Sequence, residues 1–296
     1  MMLTEQSNPN TLNIDQLPAL EIVQRINAED RTVADRVALV LPQIGQAVDG
    51  IVSQLEKGGR LIYIGAGTSG RIGVLDAVEC VPTYNTSPET IQAIIAGGDG
   101  AFVRAVEGAE DDRQAGADDL KTRNLAADDV VFGIAASGRT PYVLGAIDYA
   151  SEIGALTIGL ACNVPAPLLD VVDIPIGVAV GPEVIAGSTR MKAGTAQKMV
   201  LNMISTAVMV RRGKVYGNLM VDVQVTNEKL ADRAASIVMR LTGLDKPAAH
   251  ELLKRANYLA KVAVVMHHRQ VDRETAEALL AANDGFLRRI IGDVLS

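Results

Sequence analysis

The chain of 296 residues has no tryptophan, and its aromatic content is 3%, from six tyrosines and three phenylalanines. Basic side chains number 28 against 35 acidic ones, a net charge of −7. An acidic chain poor in aromatics offers neither the basic face nor the stacking platform of a nucleic-acid binder. The two cysteines, Cys80 and Cys162, form no C-x-x-C pair, which excludes a zinc knuckle or a disulfide framework and leaves them as small buried hydrophobes. The three histidines, His250, His267 and His268, all lie from position 250 onward and have no H-x-x-x-H spacing. They are expected at the surface or in packing, so a site upstream must work without imidazole unless the chain or a partner folds back onto it. The longest run free of charge, Ile153 to Leu169, contains Asn163, Pro165 and Pro167 and falls short of a membrane span. The opening MMLTEQSNPN lacks the basic-then-apolar order of a secretory signal, which points to the cytoplasm.

What is present is a hydrophobic fraction of 48%, enough for a sizeable core arranged as one large domain with a smaller appendage. From Asn13 to Lys57 apolar residues recur at helical spacing, among them Leu20, Val23, Val33, Val37, Ile44, Val48 and Ile51, which predicts two amphipathic helices. Five compact apolar runs follow, Leu61–Ile64, Ile91–Ala96, Val130–Ala135, Leu156–Ala161 and Ile174–Val178. With helical stretches between them they predict an α/β fold on an open parallel sheet, whose ligands bind at the carboxyl ends of the strands. A long helix is expected from about Ser188 to Arg211. Its Met191, Met199, Met203 and Met209 fall at near-helical spacing with Val200, Ile204 and Val208, as core or dimer seam. A domain change is placed near Thr226, giving a helical segment 1–57, a central domain 58–225 and a helical part 226–296. Beyond Thr242, Asp245 and Asp272 are N-caps in a series of three or four short helices.

Three turns combine glycine, hydroxyls and cations. The first, Gly65-Ala-Gly-Thr-Ser-Gly70-Arg71, has the G-x-G-x-x-G form after a strand. The acidic partner a dinucleotide site needs roughly 20 residues on is displaced to Asp99, and Thr68 and Ser69 suit a phosphomonoester better. Arg71 and Ile72 stand where a triphosphate loop requires Lys and Ser or Thr. The second turn, Ala135-Ala-Ser137-Gly138-Arg139-Thr140-Pro141, runs into a helix and leaves backbone N–H groups free for an anion. The third, Gly187-Ser188-Thr189-Arg190-Met191-Lys192, opens the long helix. Singly each is an ordinary N-cap with a solvated arginine. Together they form a cradle for one phosphate and sugar hydroxyls.

The strings GAGTSGRIGVLDAVECVPTY, AGGDGAFVRAVEGAEDD, IAASGRTPYV, GPEVIAGSTRMKAGTAQKMVLNM and GKVYGNLMVDV resemble the bacterial N-acetylmuramic acid 6-phosphate etherases. GTSGR and SGRTP recur across sugar isomerase (SIS) proteins, whereas their combination with AVEGAEDD and STRMKAGTAQK is far more specific. The resemblance implies a SIS fold, a five-stranded parallel sheet between helices with a helical N-terminal segment and a small all-helical C-terminal part. It implies cleavage of the lactyl ether of N-acetylmuramic acid 6-phosphate, in cell-wall recycling, without a metal or an organic cofactor, by a homodimer whose neighbouring subunit can complete the sugar site. The family's two functional glutamates fall on Glu79 and Glu110.

That chemistry suits the residues. Opening the sugar ring acidifies the C2 proton, lactate leaves by β-elimination and water adds back at C3, which takes one base and one acid. Glu79 is assigned as general acid toward the lactyl oxygen, in an apolar sequence setting of Ala77, Val78, Cys80 and Val81 that favours a protonated carboxyl. Glu110 is the base or its partner, although in Glu107-Gly-Ala-Glu110-Asp111-Asp112 it also fits a solvated helix start. Ser69, Ser137 and Thr140 are expected at phosphate and sugar, with Thr68 and Gly138 adjoining. Arg139, Arg190 and Lys192 stand ready to supply charge, Ser188 and Thr189 to donate hydroxyls, and Glu183 to hold sugar hydroxyls. Each cation also fits a surface ion pair. Two other readings stay open: a SIS sugar-phosphate sensor, which has no use for the glutamate pair, and a hexosamine-phosphate isomerase, which would yield a ketose and no lactate.

Overall fold

The computed structural model describes residues 2–225 and 227–294. Thr226, where a domain change was expected, lies outside them. The chain forms two compact units, one of residues 1–77 with 88–205 and one of residues 78–87 with 206–296.

The first unit opens with short 3-10 turns and two helices, α1 (Ala19–Ala38) and α2 (Leu41–Glu56). The sheet strands are β1 (Leu61–Gly65), β2 (Ile91–Ile95), β3 (Val130–Ile134), β4 (Leu156–Ala161) and β5 (Ile174–Gly177). They are all parallel, in the order β2-β1-β3-β4-β5. Each lies within about a residue of the apolar run that foretold it. Between them come α3 (Gly67–Tyr84), α4 (Gly100–Val103), α5 (Arg113–Thr122), α6 (Pro141–Ile153) and α7 (Pro167–Asp170), and α8 (Lys192–Arg211) follows β5. β1 and β3 are buried throughout, the signature of central strands covered on both faces.

The two-residue alternation of the strands divides the core. Ile62, Ile64 and Val131 pack with Leu120 of α5 and Tyr142, Val143 and Ile147 of α6. On the opposite face Tyr63 meets Phe132 edge-on at 5.5 Å and gives its hydroxyl to Asp76 Oδ2 of α3 at 2.9 Å. α5 and α6 cross backbone to backbone: a Cβ at Gly116 would lie 1.9 Å from the Tyr142 carbonyl oxygen, and one at Gly145 1.9 Å from that of Arg113. No described helix is long and apolar enough to cross a membrane.

The second unit gathers α9 (Glu228–Thr242), α10 (Lys246–Arg255), α11 (Ala260–Arg269), α12 (Arg273–Ala281) and α13 (Leu287–Ile291). Four of these follow Thr242, as the sequence suggests. Tyr216, Val221, Val238, Leu253 and Val264 are among its core residues. Asp245 and Asp272 cap α10 and α12 by accepting from Ala248 N and Thr275 N at 2.9 and 2.8 Å. Both cysteines are buried. His268 meets the Leu241 carbonyl at 2.8 Å and His250 lies beside Asp232, so both serve packing or surface. Buried Lys261 bridges Asp222 Oδ2 and the Gly213 carbonyl at 2.7 and 3.0 Å. Along α8, Met209 is fully buried and Met199 and Met203 are half-buried, as is Met191 just before the helix.

One ion pair ties β1 to β3 at their amino ends. Arg60 donates from its backbone N and Nε to Asp129 Oδ1 and from Nη2 to Oδ2, the last at 2.6 Å, while Ala126 N also donates to Oδ2. Burial acts to raise the Asp129 carboxyl, and these bonds outweigh it and hold the group below the ordinary carboxylate range. A depressed folded value adds stability that is complete above the ordinary value and fades as pH falls through the folded one. Asp129→Ala is expected to lower the unfolding free energy by about 3 kcal/mol near neutral pH, measured by urea denaturation. Asp129→Asn should flatten the acid limb of the stability profile, and an unchanged limb would show that Asp129 does not set it.

Candidate active site

The chain passes from β1 to β2 on one side and then returns to place β3 on the other, so strand order reverses between β1 and β3. Ligands of open α/β sheets bind at the carboxyl ends of the strands beside such a reversal. The first turn leaves β1 there and starts α3, and the second leaves β3 and starts α6. Two helix amino ends therefore sit on neighbouring strands, with their partial positive charge at one rim of the sheet.

Glycine makes the first turn possible. A Cβ at Gly70 would come within 2.7 Å of the Gly65 carbonyl oxygen and 2.6 Å of Ile95 Cγ1, and Gly67 adopts a φ of +53°. Helix and strand touch backbone to backbone, and buried Ser69 is held at 3.1 Å from Gln197 Oε1 by α8. In the second turn Gly138 has a φ of +64°, and a Cβ there would lie 2.5 Å from that of Ala166. Ser137 Oγ accepts from Arg139 N at 3.1 Å. Thr140 is the N-cap residue of α6 but makes no side-chain capping bond, which leaves its hydroxyl free of that task. Arg139 is exposed.

The third turn takes a different form from the one expected. α8 begins at Lys192, not near Ser188, because the fully buried Glu183 accepts Lys192 N and Ala193 N, one on each oxygen, both at 2.9 Å. A carboxylate from outside the helix thus satisfies its first donors. Burial raises the Glu183 carboxyl despite these bonds. Lys192 is equally committed: its Nζ, on a side chain 3% exposed, meets Glu29 Oε2 of α1 at 2.7 Å. Glu183 and Lys192 are therefore employed in framing the turn, in place of the sugar hydroxyls and free charge foreseen for them. Ser188 and Thr189 are half-buried and Arg190 is exposed.

The segment before α1 joins the turns. Thr4 O accepts Gly187 N at 2.8 Å, while Asn163 Nδ2 donates to Thr4 Oγ1 at 3.0 Å and to the Ala136 carbonyl at 2.9 Å. Asn8 and Asn10 donate to the two oxygens of Glu29 at 2.8 Å, and Thr11 Oγ1 donates to Val184 O at 2.8 Å. The sequence singled out none of Thr4, Asn8, Asn10, Glu29, Asn163 or Gln197, since nothing local distinguishes them from surface polar residues.

Glu110 lies in a 3-10 turn, Ala109–Asp111, whose Ala109 packs with the cluster around Tyr142. Asp112, not Glu110, caps the helix that follows by accepting Ala115 N at 2.9 Å. Glu110 lines a hollow of about 210 Å³ together with Ala66 and Gly67 of the first turn and Arg71. Arg71 donates from Nη2 to Ala101 O at 2.8 Å and from Nε to Phe102 O at 3.0 Å, pinning the carboxyl end of α4 at the start of the Glu110 segment. Glu79 lies in the second unit, on the later part of α3, and is not among the lining residues. It is exposed, contrary to the apolar setting its neighbours suggested. Ala77 and Cys80 are buried but Val78 is 63% exposed, because successive helical residues are turned by about 100°.

Removing Glu29 would leave Lys192 buried without its counter-charge. Glu29→Ala is expected to lower the unfolding free energy by about 3 kcal/mol, with partial recovery in the double variant carrying Lys192→Met, both followed by urea denaturation. A loss below about 1 kcal/mol, the size of an exposed ion pair, would show that the third turn does not depend on this contact.

Residues 43–151 match the glucokinase regulatory protein N-terminal SIS domain family, and residues 217–284 match the C-terminal lid domain of glucokinase regulatory protein. Among solved structures, a phosphoheptose isomerase from Francisella tularensis superposes with a TM-score of 0.51 at 20% identity, over 66% of this chain and 100% of that one, a likeness of fold. The N-acetylmuramic acid 6-phosphate etherase of Caldanaerobacter subterraneus subsp. tengcongensis is 52% identical over 98% of this chain and 95% of its own length. That of Vibrio campbellii is 53% identical over 98% and 94%. At such identity from end to end, the chain belongs to the N-acetylmuramic acid 6-phosphate etherase family.

Proposed function

We propose that this protein cleaves the D-lactyl ether of N-acetylmuramic acid 6-phosphate with one water, giving N-acetylglucosamine 6-phosphate and D-lactate, in amino-sugar recycling from the cell wall. What supports this most is that Glu110 lines one hollow with Ala66, Gly67 and Arg71 of the first turn, beside the strand-order reversal. A carboxylate next to an anion cradle is what a lyase acting on a phosphorylated sugar needs.

In this reading Ser69, Ser137, Thr140, Ser188 and Thr189, with Thr68, Gly138 and the amide donors at the starts of α3 and α6, bind the phosphate and sugar hydroxyls. Arg139 and Arg190 supply charge. Glu183 and Lys192 frame the third turn. With the ring open, Glu110 takes the proton from C2, the C3–oxygen bond breaks with its electron pair passing to the lactyl oxygen, and Glu79 protonates that oxygen as lactate leaves. Water then gives a proton to Glu79 as its oxygen adds to C3 of the unsaturated aldehyde, and Glu110 returns the proton to C2. The protonation states of both carboxyls are restored and no redox change occurs, so the scheme requires neither metal nor organic cofactor. A homodimer working in the cytoplasm, each subunit able to complete its neighbour's sugar site, completes the proposal.

Purified protein given N-acetylmuramic acid 6-phosphate in ¹⁸O-water should release D-lactate and carry the label into the sugar. Glu79→Gln and Glu110→Gln should each reduce turnover by at least a hundredfold, within the range of general acid–base effects of about 10²–10⁴, while still binding the sugar phosphate. Binding without lactate release by the unaltered protein would favour a sensor, and a ketose product an isomerase.

A further inference from the structure

The hollow beside Glu110 has a character that the cradle of hydroxyls does not explain. Its walls are small and apolar, formed by Ala66, Ala96, Ala101, Ala105, Val106 and Ala109, and Arg71 is its one lining cation against the carboxylates of Glu107 and Glu110. At about 210 Å³ it is smaller than the roughly 300–1,000 Å³ that encloses a whole ligand, so it suits a single substituent of the sugar. Its frame is firm. Val106 packs over Gly97, where a Cβ would lie 3.0 Å from that of Val106, and two Arg71 nitrogens are bonded to the carbonyls of Ala101 and Phe102, while Nη1 has no protein acceptor among the described residues.

We infer that this hollow receives the acetamido group on C2, which makes Arg71 and the alanines around it the residues that tell an acetamido group from a hydroxyl at that carbon. The inference rests on Glu110 acting at C2, as proposed above: the acetamido nitrogen is attached to the carbon whose proton Glu110 removes, so this group must lie within a few ångströms of that carboxylate. Charge separates it from the other substituents. A phosphate or the lactyl carboxylate would enter against two carboxylates and one guanidinium. A neutral acetamido group places its methyl among the alanines and its carbonyl oxygen where Nη1 of Arg71 can donate.

The test is binding, which needs no turnover. Wild-type protein should bind N-acetylglucosamine 6-phosphate at least tenfold more tightly than glucose 6-phosphate by calorimetry. Ala105→Leu, which fills the hollow from an exposed position, should abolish that preference by weakening the acetylated sugar about tenfold while leaving glucose 6-phosphate unchanged. Should the leucine variant fail to fold, Ala105→Val is expected to move in the same direction by a smaller factor. Equal binding of the two sugars by the wild type, equal loss of both in the variant, or an unchanged preference each overturns the inference. Unchanged binding of N-acetylglucosamine 6-phosphate with a raised KM for the lactyl ether alone would assign the hollow to the lactyl group and overturn it too. Failure of the lyase reading appears separately, as absence of lactate from the unaltered protein.

Discussion

The buried pair of Glu29 and Lys192 is the contact on which the arrangement of the turns depends. Withdrawing two charges from water costs several kcal/mol per ion unless they are paired and their remaining bonding capacity is filled. Here the carboxylate also takes Asn8 and Asn10, so the requirement is met only when the N-terminal segment, α1 and the start of α8 come together. Burial acts to raise the Glu29 carboxyl, and the bonds from Lys192, Asn10 and Asn8 outweigh it and hold the group below the ordinary carboxylate range. Once α8 begins at Lys192, Gln197 falls opposite Ser69 and Gly194 lies between Thr189 and Thr68. A helical segment that looked like simple packing is thereby part of the frame of the site.

A second constraint is close backbone approach. Gly65 and Gly70 let α3 start directly against β1, and Gly116 and Gly145 let α5 and α6 cross without side chains between them. The first brings the amino end of α3, with its partial positive charge, to the sheet rim. The second draws the chain around Ala109 and Glu110 onto α6, whose own amino end follows the second turn. The turn after β1 and the carboxylate of Glu110 thus belong to one region of one unit, and each is held there by packing that a larger residue at these glycines would disturb.

How much of this the sequence discloses depends on how local the physics is. Strands covered on both faces must be continuously apolar, so β1 and β3 stand out as runs, and the turns after them are marked by glycine and hydroxyls. Asp245 and Asp272 cap helices three residues away and are equally legible. Glu29, Gln197 and Asn163 are not, since their partners lie far along the chain and their own surroundings look like any solvated surface. Glu79 shows the converse error, because apolar neighbours in sequence do not make an apolar environment on a helix. Glu183, foreseen at sugar hydroxyls, has no local sign that its carboxylate ends at the first turn of α8, which only the fold shows. The family resemblance supplied the pairing of Glu79 with Glu110, which no local pattern carries.

The most direct measurement is proton exchange at C2 of the product. In deuterated water, N-acetylglucosamine 6-phosphate incubated with the protein should lose its C2 proton signal by NMR, because its open-chain form presents the same acidic C–H to Glu110, and Glu110→Gln should suppress the exchange at least a hundredfold. Exchange that proceeds undiminished in Glu110→Gln, or that is absent with the unaltered protein, would contradict the assignment of Glu110 as the base at C2.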